Sequence, residues 1–107
     1  MRYVWFKQEM KQAILNGAKT ATTRDHALPK EQVLAVTGSR FHPEPFAILE
    51  ITERFQTSVE NVTRKFWREE GFQSQEGMVE FCKTNGLLQT EKPVFFHKFK
   101  LIKKVWK

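Results

Sequence analysis

The chain has 107 residues, 40% of them hydrophobic and 10 of them Phe, with a net charge of +6. That is one domain, 1–107, with enough apolar mass for a core and no room for a second. The single cysteine, Cys82, excludes an intramolecular disulfide framework and fits a reducing cytosol, no apolar run approaches the ~18 residues of a membrane helix, and the first seven residues lack the apolar stretch of a signal peptide. The basic excess favours a polyanionic partner or a phosphate-bearing substrate without requiring either.

Tyr3 to Phe6 is aromatic and β-branched, a short first strand. Lys7 to Asn16 carries Met10, Ala13 and Ile14 at helical spacing, and Gly17 is its stop. Thr20 to Arg24 reads as the second strand, Asp25 to Lys30 as a loop, and Gln32 to Thr37 as the third strand. Gly38 to Pro45 is a longer turn. Phe46 to Phe55 alternates, with Ala47, Leu49, Ile51 and Phe55 on one side and Glu50, Thr52 and Arg54 on the other. Thr57-Ser58-Val59-Glu60 has capping-box spacing and opens a helix ending at Gly71, with Val59, Val62, Phe66 and Trp67 on one face. Ser74 caps a short helix that buries Met78, Val79 and Cys82 and stops at Gly86. Val94 to Trp106 is a long strand or a strand pair. The order β-α-β-β-β-α-α-β describes an α+β fold, a small curved sheet or open barrel with helices packed at its ends.

The densest polar run is Gly17-Ala18-Lys19-Thr20-Ala21-Thr22-Thr23-Arg24, at a helix-to-strand junction where a stable fold needs no such density. Lys19 can bind phosphate as a point charge, or act as a base if burial or Arg24 lowers its pKa. Thr20, Thr22 and Arg24 share one strand face, whereas Lys19 has the parity of Ala21 and Thr23. Lys19 and Thr22 therefore meet only if the backbone bends near Gly17. A threonine hydroxyl needs an adjacent base to attack anything, and Lys19 is the nearest candidate. Arg24 offers a planar fork to a carboxylate or phosphate; it is equally suited to an ion pair with Asp25, Glu50 or Glu53. Glu70 falls in the last predicted helical turn, where the helix dipole disfavours a carboxylate and helps a general acid or base.

These residues carry a resemblance. The pattern Gly17-x-Lys19-Thr20-x-Thr22-x-Arg24 resembles the signature of ASCH domains, members of the PUA-like superfamily, and Glu70-Gly71-Phe72-x-Ser74-x-Glu76 resembles their second helical segment. The resemblance covers most of the chain and implies a PUA-like small curved barrel. At this length it points to the N4-acetylcytidine amidohydrolases, in which a Lys, a Thr and a Glu carry the chemistry. By that likeness Lys19 activates Thr22 as nucleophile, Glu70 gives or takes the proton, and Arg24 and Thr20 bind substrate. The products are acetate and cytidine, and no cofactor is implied. The family often has Gly-Asp before its third strand; here the stretch is Pro29-Lys30-Glu31-Gln32, so that turn is built differently.

A second class competes. On the last strand Phe95, His97, Phe99 and Leu101, the face that looks like core, alternate with Phe96, Lys98, Lys100 and Ile102. Lys98 and Lys100 beside Phe96 and Trp106 is a combination that suits single-stranded RNA, through phosphate contact and stacking. Some ASCH proteins resemble RNA-binding modules with nuclease activity. The same lysines also suit a solvated edge that discourages aggregation. His26, His42 and His97 do not fall at ligand spacing and Cys82 has no Cys-x-x-Cys partner, so no zinc site is expected.

Overall fold

A computed structural model describes residues 1–87 and 92–105. The elements follow the order read from the sequence: β1 (Arg2–Trp5), α1 (Gln8–Leu15), β2 (Ala21–Arg24), β3 (Gln32–Gly38), β4 (Pro43–Thr57), α2 (Val59–Lys65), α3 (Gln75–Thr84) and β5 (Val94–Lys104). The strands form one curled five-stranded sheet, a half-barrel ordered β1-β3-β4-β5-β2. β1 runs parallel to β3, and the other pairs are antiparallel. No described helix is long and apolar enough to cross a membrane.

β4 is longer than its alternation predicts, because the Pro-containing turn joins it from Pro43 onward. Register shifts near Ile48 and Ile51 bend it and give the sheet its curl. The second shift also moves Phe55 off the face of Ile51. Ile51 pairs with Phe99 in the first core, whereas Phe55 pairs with Phe96 and meets the rings of Phe66 and Phe96. The strict alternation expected for Phe46 to Phe55 therefore fails at its end.

Two apolar clusters flank the sheet. One gathers Val4, Phe6, Ile14, Leu28, Val33, Leu49, Ile51 and Phe99, with Met10 and Leu15 of α1 packed against it. The other gathers Ala21, Val62, Met78, Cys82 and Phe96 under α2 and α3. Phe96 is fully buried and stacks on Phe66 with centroids 4.3 Å apart. The first half of β5 is thus covered on both faces, which corrects the expectation that Phe96 belongs to an exposed stacking surface. Leu101, expected in the core, is exposed beyond the end of that cover. Trp106 lies outside the described residues.

Capping follows short-range chemistry. The Ser74 hydroxyl accepts from the Gly77 N–H at 3.0 Å, as its position before α3 predicts. At α2 the cap is Ser58, one residue later than the capping-box reading, and it accepts from Asn61 N–H. α2 also ends at Lys65 rather than near Gly71. Residues 66–72 turn away so that the Glu69 carbonyl can accept from the N–H groups of both Thr20 and Ala21, at 2.7 and 3.0 Å. Those donors open an edge strand and need partners.

Candidate active site

The helix-to-strand junction bends as the polar run requires. Gly17 takes the left-handed conformation at φ +84°, and Lys19 N–H returns to the Ala13 carbonyl at 2.9 Å. Lys19 is thereby turned inward and keeps only 4% of its surface. Its Nζ donates to Glu70 Oε1 at 3.1 Å and to the Glu70 carbonyl at 3.0 Å. Glu70 is 5% exposed and sits in the turn after α2, not at a helix terminus, so the helix-dipole argument does not apply to it.

Each carboxylate oxygen of Glu70 has its own donor. Oε1 takes Lys19, and Oε2 takes the Thr23 hydroxyl at 2.6 Å. Thr22, on the opposite parity, does not join this network. Its Oγ1 accepts from Arg24 Nε at 3.2 Å. The Arg24 guanidinium lies 4.8 Å from the centre of the Phe6 ring, which joins edge strand β2 to the segment that follows edge strand β1. None of the ion pairs offered for Arg24 forms among the described residues: Asp25 bonds His26 at 2.7 Å, and Glu53 faces Lys98 at 3.6 Å.

These groups form one wall of a cavity of about 640 Å³. Lys19, Thr22, Thr23, Arg24, Asp25 and Glu70 supply much of the polar side, with Lys7 and Lys92 also in the lining; Trp5, Phe6, Met10, Phe72, Phe81 and Phe95 supply much of the apolar side. The volume lies within the ~300–1,000 Å³ of small-molecule sites, and the pairing of an apolar wall with a few convergent polar groups is their usual composition.

Burial pushes the Lys19 ammonium below its ordinary value and Arg24 adds to the lowering, while the charge and hydrogen bond of Glu70 oppose it. Burial likewise lowers Arg24, against the pull of Glu70 and Asp25. Cys82 also lines the cavity, but burial, reinforced by Glu70, pushes its thiol up and away from a nucleophilic thiolate.

Of the residues singled out in the sequence, Lys19, Thr22, Arg24 and Glu70 all reach this cavity. Thr20 does not: its side chain is exposed, and it contributes only its backbone, with its carbonyl accepting from Phe99 N–H at 2.9 Å. It precedes the first paired residue of β2, so strand parity does not turn it inward. Lys98 is half-buried beside Glu53, and Lys100 is exposed on a different part of β5. Thr23 went unnominated, although the parity that separates Lys19 from Thr22 puts Lys19 and Thr23 together. The aromatic wall carried no local signal, because its members come from four separate segments.

No family model matches the sequence, and no curated protein does. Solved structures match it across nearly its whole length. Protein EF3133 from Enterococcus faecalis, of the family DUF984, superposes with a TM-score of 0.70 at 18% identity, covering 97% of this chain and 77% of that one. ASCH from Zymomonas mobilis gives 0.69 at 14% identity, covering 96% and 71%. The ASCH domain from Lactobacillus crispatus gives 0.61 at 19% identity, covering 94% and 79%. The chain has the α+β, PUA-like fold of the ASCH domains.

Proposed function

We propose that this protein is an amidohydrolase acting on a modified nucleoside, N4-acetylcytidine being the substrate that its sequence motif favours. The observation that carries the reading is the buried Lys19–Glu70 pair, which shares with Thr22 the lining of a cavity of nucleoside size. Two groups sharing one proton across 3.1 Å are a ready acid–base couple. Transfer of the shared proton from Lys19 to Glu70 across this bond makes Lys19 a neutral base and Glu70 an acid.

In this mechanism Lys19 takes the Thr22 proton as Oγ1 attacks the acetyl carbon. Arg24, whose Nε donates to Thr22 Oγ1, stabilises the oxyanion in this mechanism. Glu70 protonates the departing cytosine amine as the C–N bond breaks, leaving an acetyl ester on Thr22. The couple is now ammonium and carboxylate. Glu70 takes a proton from water as it attacks the ester, and Lys19 returns one to Thr22 as acetate leaves. The cycle ends with both groups as they began. The apolar wall suits a nucleobase ring and limits water around the carbonyl.

The alternative is a PUA-like RNA-binding module. Exposed Lys100, Lys103 and Lys104 on β5 favour it, but the burial of Phe96 removes its stacking platform. The test is incubation of the purified chain with N4-acetylcytidine, following acetate and cytidine, alongside Lys19→Ala, Thr22→Ala and Glu70→Ala. Turnover by the wild type and its loss in all three variants is expected. Absence of turnover by the wild type, with steeply salt-dependent binding to single-stranded RNA, would replace this reading with the other.

A further inference from the structure

We propose that Thr23 is a positioning residue for the site, aiming the Glu70 carboxylate through the hydrogen bond from its Oγ1 to Oε2. The proposal rests on the reading of Glu70 as the proton carrier. It adds a fourth member to the constellation and assigns neighbouring threonines different tasks.

The geometry separates the two hydroxyls. Thr22 Oγ1 accepts from Arg24, which leaves its own proton to give away. Thr23 Oγ1 donates to a carboxylate at 2.6 Å, the short distance expected when the acceptor is charged. A carboxylate with 5% exposure has little water to orient it, so its donors decide where its oxygens point. Lys19 reaches Oε1 and the main-chain carbonyl of Glu70, so it fixes one oxygen and the backbone. Without Thr23 the second oxygen has no donor among the described residues. Among the described residues, the titratable or charged groups that interact with Glu70 include Lys19 before β2, Arg24 on β2 and Cys82 on α3.

Thr23 also lines the cavity, so the hydroxyl can follow the reaction. When Glu70 is ionised Thr23 donates to it. When Glu70 holds the proton on Oε2, the hydroxyl can rotate and accept. A valine fills the same space on a β-strand and can do neither.

The test compares Thr23→Val and Thr23→Ser with wild type, each checked for fold by circular dichroism. The direct readout is the carboxyl-carbon NMR titration of Glu70 in protein labelled at glutamate side chains. Loss of a donor to the ionised form must move that titration to higher pH in Thr23→Val, and Thr23→Ser must restore it. With N4-acetylcytidine, Thr23→Val is expected to lose roughly 10- to 100-fold in kcat, the worth of one hydrogen bond to a charged group, at unchanged KM. The acid-side limb of its pH profile moves upward. An unmoved Glu70 titration overturns the proposal, and so does an acetyl group found on residue 23 by mass spectrometry, which would make Thr23 the nucleophile. A shifted titration without any hydrolysis by wild type leaves Thr23 as the holder of Glu70 and removes the hydrolase reading instead.

Discussion

Gly71 and Lys19 touch at a place where no side chain fits. A Cβ built on Gly71 would lie 2.9 Å from the Lys19 Cβ, and Gly71 has φ +97°. Absence of a side chain lets the Lys19 stem pass, so that its Nζ meets both oxygen-bearing groups of the preceding residue, Glu70. Gly71→Ala is therefore expected to lose about 1–3 kcal/mol from backbone strain and to push Lys19 off Glu70. Urea denaturation gives the first quantity and hydrolysis of N4-acetylcytidine the second. An alanine variant of wild-type stability would contradict the contact.

The Lys19–Glu70 pair should behave as a buried ion pair. Removing one partner leaves the other uncompensated, at a cost of ~3–5 kcal/mol. Lys19→Met and Glu70→Leu are each expected to fall in that range. Their combination should cost clearly less than the sum, because no lone charge remains. A double-mutant cycle by chemical denaturation measures the coupling; strict additivity would mean that the two groups do not depend on each other.

His97 makes stability depend on pH. Its Nε2 accepts from Leu28 N–H at 2.9 Å, so the ring is neutral with its hydrogen on Nδ1, facing the Thr22 carbonyl at 3.4 Å. A second proton would confront the Leu28 donor. Burial lowers its pKa from the ordinary 6.5, with Arg24, Arg54 and His26 adding to the lowering and the Thr22 carbonyl opposing it. The unfolded chain then binds more protons than the native one between that lowered value and 6.5, so stability falls with falling pH in that window. Melting temperatures from pH 7.5 to 5 should decline in wild type and decline less in His97→Gln. Equal slopes would show that His97 is not the group responsible.

Phe96 distinguishes core from RNA surface. Its complete burial predicts that Phe96→Ala costs ~3–5 kcal/mol, whereas Phe41→Ala, at an exposed turn, changes stability by no more than ~0.5. Lys100→Ala should likewise leave stability unaltered. Thermal melts of the three variants settle the ranking, and a Phe96→Ala variant that is stable yet loses RNA binding would restore the stacking role.

The order of elements was legible because its punctuation is local. Gly17, Ser74 and Gly86 act through their own backbone or the next turn, and sequence carries that information directly. What was not legible depends on partners distant in the chain. α2 stops early because Glu69 must serve donors at Thr20 and Ala21. Phe55 changes sides because β4 carries an extra residue against β5. Phe96 is covered by helices whose docking no strand alternation can anticipate. In the candidate site Lys19, Thr22, Arg24 and Glu70 were named from spacing and resemblance, and the cavity gathers all four. Thr23 was present in the parity argument and lacked only knowledge of where the carboxylate lies.

The double acceptance by the Glu69 carbonyl gives the protein a built-in reporter. The acid half of the cavity hangs on β2 through the amides of Thr20 and Ala21. If the 66–72 segment opens while the sheet stays intact, these two amides lose their acceptor before the β2–β5 ladder does. Their hydrogen-exchange rates therefore read the assembly of the site separately from the folding of the domain. Faster exchange there, with the rest of β2 unchanged, would register a disassembled site inside a folded protein.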